Sequence, residues 1–213
     1  MQLIARDVGY SHRGAADPLL TSINHEWVSG SLSALVGPSG AGKSTLLDLL
    51  GGIRVPDRGT VRLDTGATPA LELNREQHQL SCAWVLQSNL LLKGRTVLEN
   101  VATTMRFQGH DRRTSTMRAA RVLIRLGLGR RLHHVPSELS GGEQQRVTIA
   151  RSLLSVTPVL LADEPTGNLD SANTRRVVEA LRTAADSGKI VVVATHDAAV
   201  YRVCDDVLDL RPE

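Results

Sequence analysis

Aromatic residues are almost missing from this sequence: Tyr10, Trp27, Trp84, Phe107 and Tyr201 are the full set, 2% of 213 residues. A platform on which successive bases of a single strand could stack cannot be assembled from so few. Cysteine is as scarce. Cys82 and Cys204 stand alone in apolar or strand-like surroundings, so they read as buried reduced thiols rather than a disulfide or a metal site. Long apolar runs are absent too: Ile190 to Ala194 and Val159 to Ala162 are strand-length, far below the ~20 residues of a membrane-spanning helix. No sign of charge dominates. Twenty-five basic against 22 acidic residues leave +3, too thin an excess to imply nucleic acid, and lysine supplies only three of the basic residues. The first residues, Met1 to Asp7, lack the basic start, apolar run and small-residue cleavage site of a secretory signal, so cytosolic residence is expected.

What remains is an ordinary globular composition, 41% hydrophobic and 22% charged. At about 150 residues per domain the length suits one domain carrying a small subdomain. The texture changes in order. Gln2 to Tyr10, Thr21 to Val28 and Ser31 to Val36 read as strands, the last running into a glycine-rich turn at Gly37. Lys43 to Leu50 reads as a helix, and Gly59 to Leu63 and Cys82 to Leu86 as strands. Val97 to Phe107 and Thr116 to Leu126 then carry apolar residues at helical spacing. Beyond these a helix is expected over Gly141 to Leu154, a strand over Val159 to Ala162, a helix over Ala172 to Ala185, and strands over Ile190 to Ala194 and Val207 to Leu210. Strands buried on both faces and alternating with helices predict an α/β fold with a parallel sheet, to which the early β-rich segment and the central helices are attachments.

Two stretches carry chemistry. Gly37-Pro38-Ser39-Gly40-Ala41-Gly42-Lys43-Ser44-Thr45 has the spacing of a phosphate-binding loop and sits between a predicted strand and a predicted helix, the context that confirms it. Its glycines let backbone N–H groups point at phosphate oxygens, the helix start adds positive charge, Lys43 reaches the outer phosphates, and the Ser44 hydroxyl suits Mg²⁺. Far downstream the apolar strand Val159-Leu160-Leu161-Ala162 delivers Asp163 and Glu164 at its end, where open α/β sheets bind ligands. Asp163 is placed to hold Mg²⁺, and Glu164 to polarise the water that attacks a γ-phosphate.

Leu139-Ser140-Gly141-Gly142-Glu143-Gln144-Gln145-Arg146 resembles the signature motif of ABC-type ATPases, with Gly142 lying 22 residues before Glu164. The resemblance extends over the whole chain and implies a P-loop, RecA-like parallel-sheet core with an antiparallel β subdomain, over residues 1–87 and 156–213. It implies an ABC-type helical subdomain over about 88–155. It implies ATP and Mg²⁺ as cofactors, with Gly37, Ser39, Gly40, Ala41, Gly42, Lys43, Ser44 and Thr45 around the phosphates. Tyr10 is then the aromatic on adenine, and Gln87 joins Ser44 and Asp163 near the metal and the attacking water. His196, in Ala194-Thr195-His196-Asp197, is the histidine on the γ-phosphate. Ser140, Gly141, Gly142 and Gln145, with Asp170 of Asn168-Leu169-Asp170, meet nucleotide and phosphate loop across a head-to-tail dimer. Lys43, Gln87, Glu164 and His196 are the expected catalytic set.

The run Leu161 to Asp170 is similar to the branch serving lipoprotein-releasing, macrolide-exporting, cell-division and antimicrobial-peptide-handling permeases, and Val97-Leu98-Glu99-Asn100-Val101 agrees with it. The stretch after Gln87 departs, with neither an aromatic near Asn89 nor a proline near Lys93, in the region that the resemblance assigns to the permease. The expected partners are an integral-membrane permease and a second ATPase, a homodimer being the simpler choice, and the expected place is the inner face of the cell membrane. A mechanical complex without net transport fits equally. A soluble ATPase of DNA repair or translation fits less well, because the gap between the motifs holds only a short helical insertion. With the sequence ending at Glu213, soon after the last predicted strand, no regulatory tail is expected.

Overall fold

The Val-, Ile- and Leu-rich runs marked as buried strands assemble into a five-stranded parallel sheet in the computed structural model, which describes residues 1–14, 17–66, 75–86, 90–167 and 169–211. The strands are β3 (Leu32–Val36), β5 (Cys82–Val85), β6 (Val159–Asp163), β7 (Ile190–Ala194) and β8 (Asp206–Asp209), in the order β5-β6-β7-β3-β8. A second, antiparallel sheet orders β2 (Leu20–Val28), β1 (Gln2–Tyr10) and β4 (Arg58–Asp64) as β2-β1-β4. The helices are α1 (Lys43–Leu50), α2 (Arg75–Leu80), α3 (Val97–Phe107), α4 (Arg112–Arg125), α5 (Gly141–Leu153), α6 (Ser171–Asp186) and α7 (Ala198–Tyr201).

Alternation along the parallel strands divides the interior in two. Leu160, Ala162, Val191 and Val193 face a core shared with α3, α4, α5 and α6. Val159, Leu161, Ile190, Val192 and Ala194 face a second core, closed by α1 and by Leu3, Val8 and Trp27 of the antiparallel sheet. Both faces are therefore covered, as an all-parallel sheet requires. Close approach of α1 to the sheet needs a glycine at its end: a Cβ at Gly51 would lie 2.1 Å from Cζ2 of Trp84.

The registers decide where the chemistry sits. Asp163 pairs with Ala194, and Ala194 with Leu35, so β6, β7 and β3 finish side by side at one edge. The segments that leave that edge carry Gly37, Glu164 and His196.

Expected and observed elements differ mainly at helix starts. The α4 helix begins at Arg112, a turn before Thr116, because the Asp111 side chain caps it by accepting from the Thr114 N–H at 2.9 Å. The short helices α2 and α7 were not expected, since pieces of six and four residues carry too few apolar positions to show a period. Cys82 is buried and Cys204 partly so. Both are free, and burial pushes their thiols up to about 12 and about 11.

Candidate functional site

The loop between β3 and α1 wraps the start of the helix. Gly42, at φ 93°, takes a left-handed conformation, and a Cβ there would come within 2.8 Å of Leu20 Cδ2. Glycine at this position is thus required twice over, by backbone and by space. Lys43 opens the helix, is buried, and donates from Nζ to the carbonyls of Gly37 at 2.8 Å and Pro38 at 3.0 Å. The amine is held over the loop's own concave face, in reach of any phosphate that the loop amides bind.

Across the cleft the end of β6 is fixed unusually firmly. Glu164 has φ 45°, one of three non-glycine residues at positive φ among those described. Its N–H donates to the Ala194 carbonyl at 2.9 Å, and its own carbonyl accepts from Gln145 Nε2 at 3.0 Å and from the Gly167 N–H at 3.3 Å. Such strain persists only where the surroundings over-determine it. The carboxylate is thereby aimed into the cleft, where Oε1 meets His196 Nδ1 at 2.9 Å. Oε2 is buried without a partner among the described residues.

Beside it the Asp163 carboxylate is hydrogen-bonded by Ser44. Burial raises the Asp163 pKa, the Ser44 hydrogen bond opposes that, and the neighbouring Glu164 charge adds to the rise. A hydroxyl and a carboxylate together are hard oxygen donors of the kind Mg²⁺ selects, and a bound cation would reverse the bias toward protonation. The donor set, the cradle of amides and the unpartnered carboxylate oxygen fit a nucleotide with its metal.

Gly37, Ser39, Gly40, Gly42, Lys43, Ser44, Thr45, Asp163, Glu164 and His196 line one cleft of about 860 Å³. Ala41 stays within the loop, its N–H bonded to the Pro38 carbonyl at 3.2 Å. Gln87 and Asn168 lie outside the described residues.

Two residues expected at the nucleotide are bonded within this chain and do not line this cleft. Tyr10 is the first. Its ring packs beside the second core, its hydroxyl accepts from Arg54 Nη1 at 2.9 Å, and its edge meets His12 with ring centroids 5.5 Å apart. His12 lines the cleft instead, with Leu19 and Gly167. Register shifts between Ala5 and Val8 and between Val8 and Tyr10 interrupt the alternation of β1, so sequence spacing alone does not tell which side Tyr10 takes. Gln145 is the second. It is 2% exposed and spends its amide on the Glu164 carbonyl, so it shapes the catalytic edge from within the same chain. A polar residue buried on the inward face of α5 was the available sign.

Ser140 and Gly141 form a separate surface. Ser140 caps α5, accepting from the Glu143 N–H at 3.3 Å while Glu143 Oε2 accepts from the Ser140 N–H at 2.9 Å. Glu143 is in turn paired with Arg131 at 2.8 Å, and these contacts with Ser140 and Arg131 hold its carboxyl below the usual carboxylate range. None of Ser140, Gly141, Gly142 or Asp170 lines the cleft. Asp170 caps α6 through the Asn173 N–H at 2.8 Å. Among the described residues no helix is long and apolar enough to cross a membrane.

The chain is similar to known proteins in sequence and in fold. The profile of the ABC transporter family matches residues 20–167. An uncharacterised ABC transporter ATP-binding protein of Mycobacterium tuberculosis is 39% identical over 210 residues, 97% of this chain and 63% of that relative, so the chain spans less than two thirds of its length. The lipoprotein-releasing system ATP-binding protein LolD 2 of Caulobacter vibrioides is 42% identical over 197 residues, 91% of this chain and 86% of that protein. The macrolide export ATP-binding/permease protein MacB of Pasteurella multocida is 38% identical over 205 residues, 95% of this chain and 31% of that protein. Among solved structures, a dimeric bacterial ABC transporter cassette, MJ0796, superposes with a TM-score of 0.84 at 30% identity, covering 98% of this chain and 94% of that one. With a RecA-like P-loop fold, the phosphate loop facing Asp163 and Glu164, and these relatives, the chain belongs to the ABC transporter family as an ATP-binding subunit akin to LolD and MacB.

Proposed function

We propose that this chain hydrolyses ATP within a head-to-tail dimer of two copies and so drives an integral-membrane permease from its cytosolic face. The observation that carries the hydrolytic reading is Glu164, whose locked, positive-φ backbone holds a carboxylate opposite Lys43, with one oxygen on His196 and the other unpartnered among the described residues. Lys43 and the loop amides bind the phosphate oxygens and stabilise the charge that spreads over them in phosphoryl transfer. Ser44 and Asp163 would hold Mg²⁺, with Gln87 assigned to the same ion by the family resemblance, and the ion would supply charge neutralisation at the phosphates. Glu164 orients the attacking water through the unpartnered oxygen, and His196 keeps the other oxygen in place while its exposed ring reaches the γ-phosphate. His12, and Tyr10 behind it, would flank the base.

The surface of Ser140 and Gly141 supports the dimer. It presents a helix start that the chain's own cleft does not use, and the Ser140 hydroxyl, accepting from Glu143, keeps its hydrogen for another acceptor. A phosphate held by the opposite copy is that acceptor, with Asp170 meeting the partner's phosphate loop. Closure then follows nucleotide binding by population shift, and hydrolysis releases it. The permease reading draws on the relatives named as ATP-binding/permease and lipoprotein-releasing system proteins.

The deciding experiment is Glu164→Gln. It is expected to bind ATP with unchanged affinity, to accumulate as an ATP-dependent dimer on gel filtration, and to lose more than about 100-fold in turnover. Turnover equal to that of the unmodified chain would remove Glu164 from the chemistry.

A further inference from the structure

The whole-chain charge of +3 conceals a concentration of positive charge. Between Lys93 and Val135 lie ten of the 25 basic residues and two of the 22 acidic ones. Helix α4 contributes Arg112, Arg113, Arg118, Arg121 and Arg125 and no acidic residue. Arg112 is near enough to Glu99 to lower that carboxyl's pKa, after the larger effect of Thr96. Arg113, Arg118, Arg121 and Arg125 are exposed, and among the described residues none has a carboxylate within ion-pairing distance.

Their arrangement on the helix is specific. Ser115, Ala119 and Leu123 face the core, so residues on the opposite arc look outward. That arc carries Arg113, Met117, Arg121 and Ile124 at spacings of three and four, with Arg118 and Arg125 along its flank. Met117 is 46% and Ile124 58% exposed, two large apolar side chains set between arginines. At the neighbouring end of α3, Phe107 is 88% exposed beside the exposed Arg106. Water is a poor environment for these apolar groups, and among the described residues Arg113, Arg118, Arg121 and Arg125 meet no carboxylate within ion-pairing distance.

We propose that the outer face of α4 docks on a membrane surface rich in anionic phospholipid headgroups. Guanidinium groups pair with phosphate oxygens in the bidentate manner that lysine does not reproduce. Met117 and Ile124 enter the boundary between headgroups and acyl chains while the arginine stems lie alongside with their charges outward. An acidic peptide would be gripped by a groove, but these side chains stand on the convex ridge of a helix, which suits a broad planar array of phosphates. Nucleic acid would leave Met117 and Ile124 without a role. Because the attraction acts between exposed charges, it weakens as salt shortens its range. The contact is separate from the ATP cleft and does not depend on the hydrolytic reading.

The test is flotation of the full chain with vesicles, without nucleotide. Vesicles in which about 40% of the lipid is phosphatidylglycerol should carry the protein at low salt and release it as salt rises, whereas phosphatidylcholine alone should not carry it. Arg113→Gln, Arg118→Gln and Arg121→Gln combined should lower partitioning at least about tenfold. Met117→Ser with Ile124→Ser should lower it about threefold. All five positions are exposed, so thermal unfolding and ATP turnover should match the unmodified chain. The proposal fails if the unmodified chain does not float with anionic vesicles, or if the triple variant floats as well as it does. It fails equally if the triple variant keeps its vesicle binding but loses binding to immobilised polyglutamate, which would assign the face to an acidic protein.

Discussion

The Glu164 backbone is held by Ala194, Gly167 and Gln145, and of these Gln145 alone takes part through its side chain, while His196 holds one carboxylate oxygen. The amide reaches the Glu164 carbonyl from inside α5 and leaves its own Oε1 buried without a partner among the described residues. Replacing Gln145 by Leu keeps the volume near and removes the donor, which should cost about 1–3 kcal/mol of stability through the unsatisfied carbonyl. Turnover should fall on the order of tenfold or more, because a shift in the Glu164 backbone misaims its carboxylate. ATP affinity, set by Lys43 and the loop amides, should stay within about threefold. A titration of a fluorescent nucleotide beside steady-state hydrolysis separates the two, and equal losses in binding and turnover would deny Gln145 a positioning role. The sequence made the phosphate loop and the Asp163-Glu164 pair legible, because both depend on local spacing at a strand end. It did not reveal that Gln145 serves its own chain's Glu164, since that contact joins residues 19 apart through tertiary packing. That His12 lines the cleft was likewise not legible, since bulges in β1 break the alternation by which a side chain's face would be read.

Elements were legible in proportion to the apolar face they bury. The parallel strands, with Val191, Val192 and Val193 all fully buried, could hardly be read otherwise. Helix α4 was read a turn late because its first turn, Arg112 to Ser115, carries no large apolar residue and is fixed instead by the Asp111 cap. The same view gives a prediction about α1, the helix that carries Lys43 and Ser44. It packs against the sheet through Gly51, where a Cβ would meet Trp84 at 2.1 Å and Leu161 Cδ1 at 2.9 Å. Gly51 has φ −92°, so its backbone would accept alanine without strain and any effect is one of space. Gly51→Ala should therefore destabilise by about 1–3 kcal/mol as Trp84 is displaced. Chemical denaturation measures it, and the shorter Trp84→Leu side chain should restore part of the loss in the double variant. Additive effects of the two substitutions would show that Trp84 is not what Gly51 accommodates.

At the scale of the whole molecule, the two glycine-containing helix starts lie in two places. The cleft at the edge of β3, β6 and β7 holds the phosphate loop, while Ser140 and Gly141 begin α5 outside it. The resemblance implied such a separation by assigning Ser140 and Gly141 to an opposite copy, and within the fold it goes with the packing of α3, α4 and α5 as a layer on one face of the sheet. A Cβ at Gly141 would meet nothing within 4 Å, so among the described residues no side-chain packing demands glycine at the first position of α5. Aspartate is moreover well suited to a helix start, where it opposes the partial positive charge of the backbone. Gly141→Asp should accordingly leave the monomer as stable as before or more so, by up to about 1 kcal/mol. ATP binding by the monomer should be unchanged, since the cleft does not include this residue. If the surface approaches a γ-phosphate held by a second copy, the added carboxylate faces like charge there and the closed dimer is lost. Light scattering with ATP, in the Glu164→Gln background expected to accumulate the dimer, reads this directly. A dimer that persists with unchanged affinity would place the interface elsewhere, even with the ATPase assignment intact. A monomer that unfolds earlier would instead mean that Gly141 answers to its own chain.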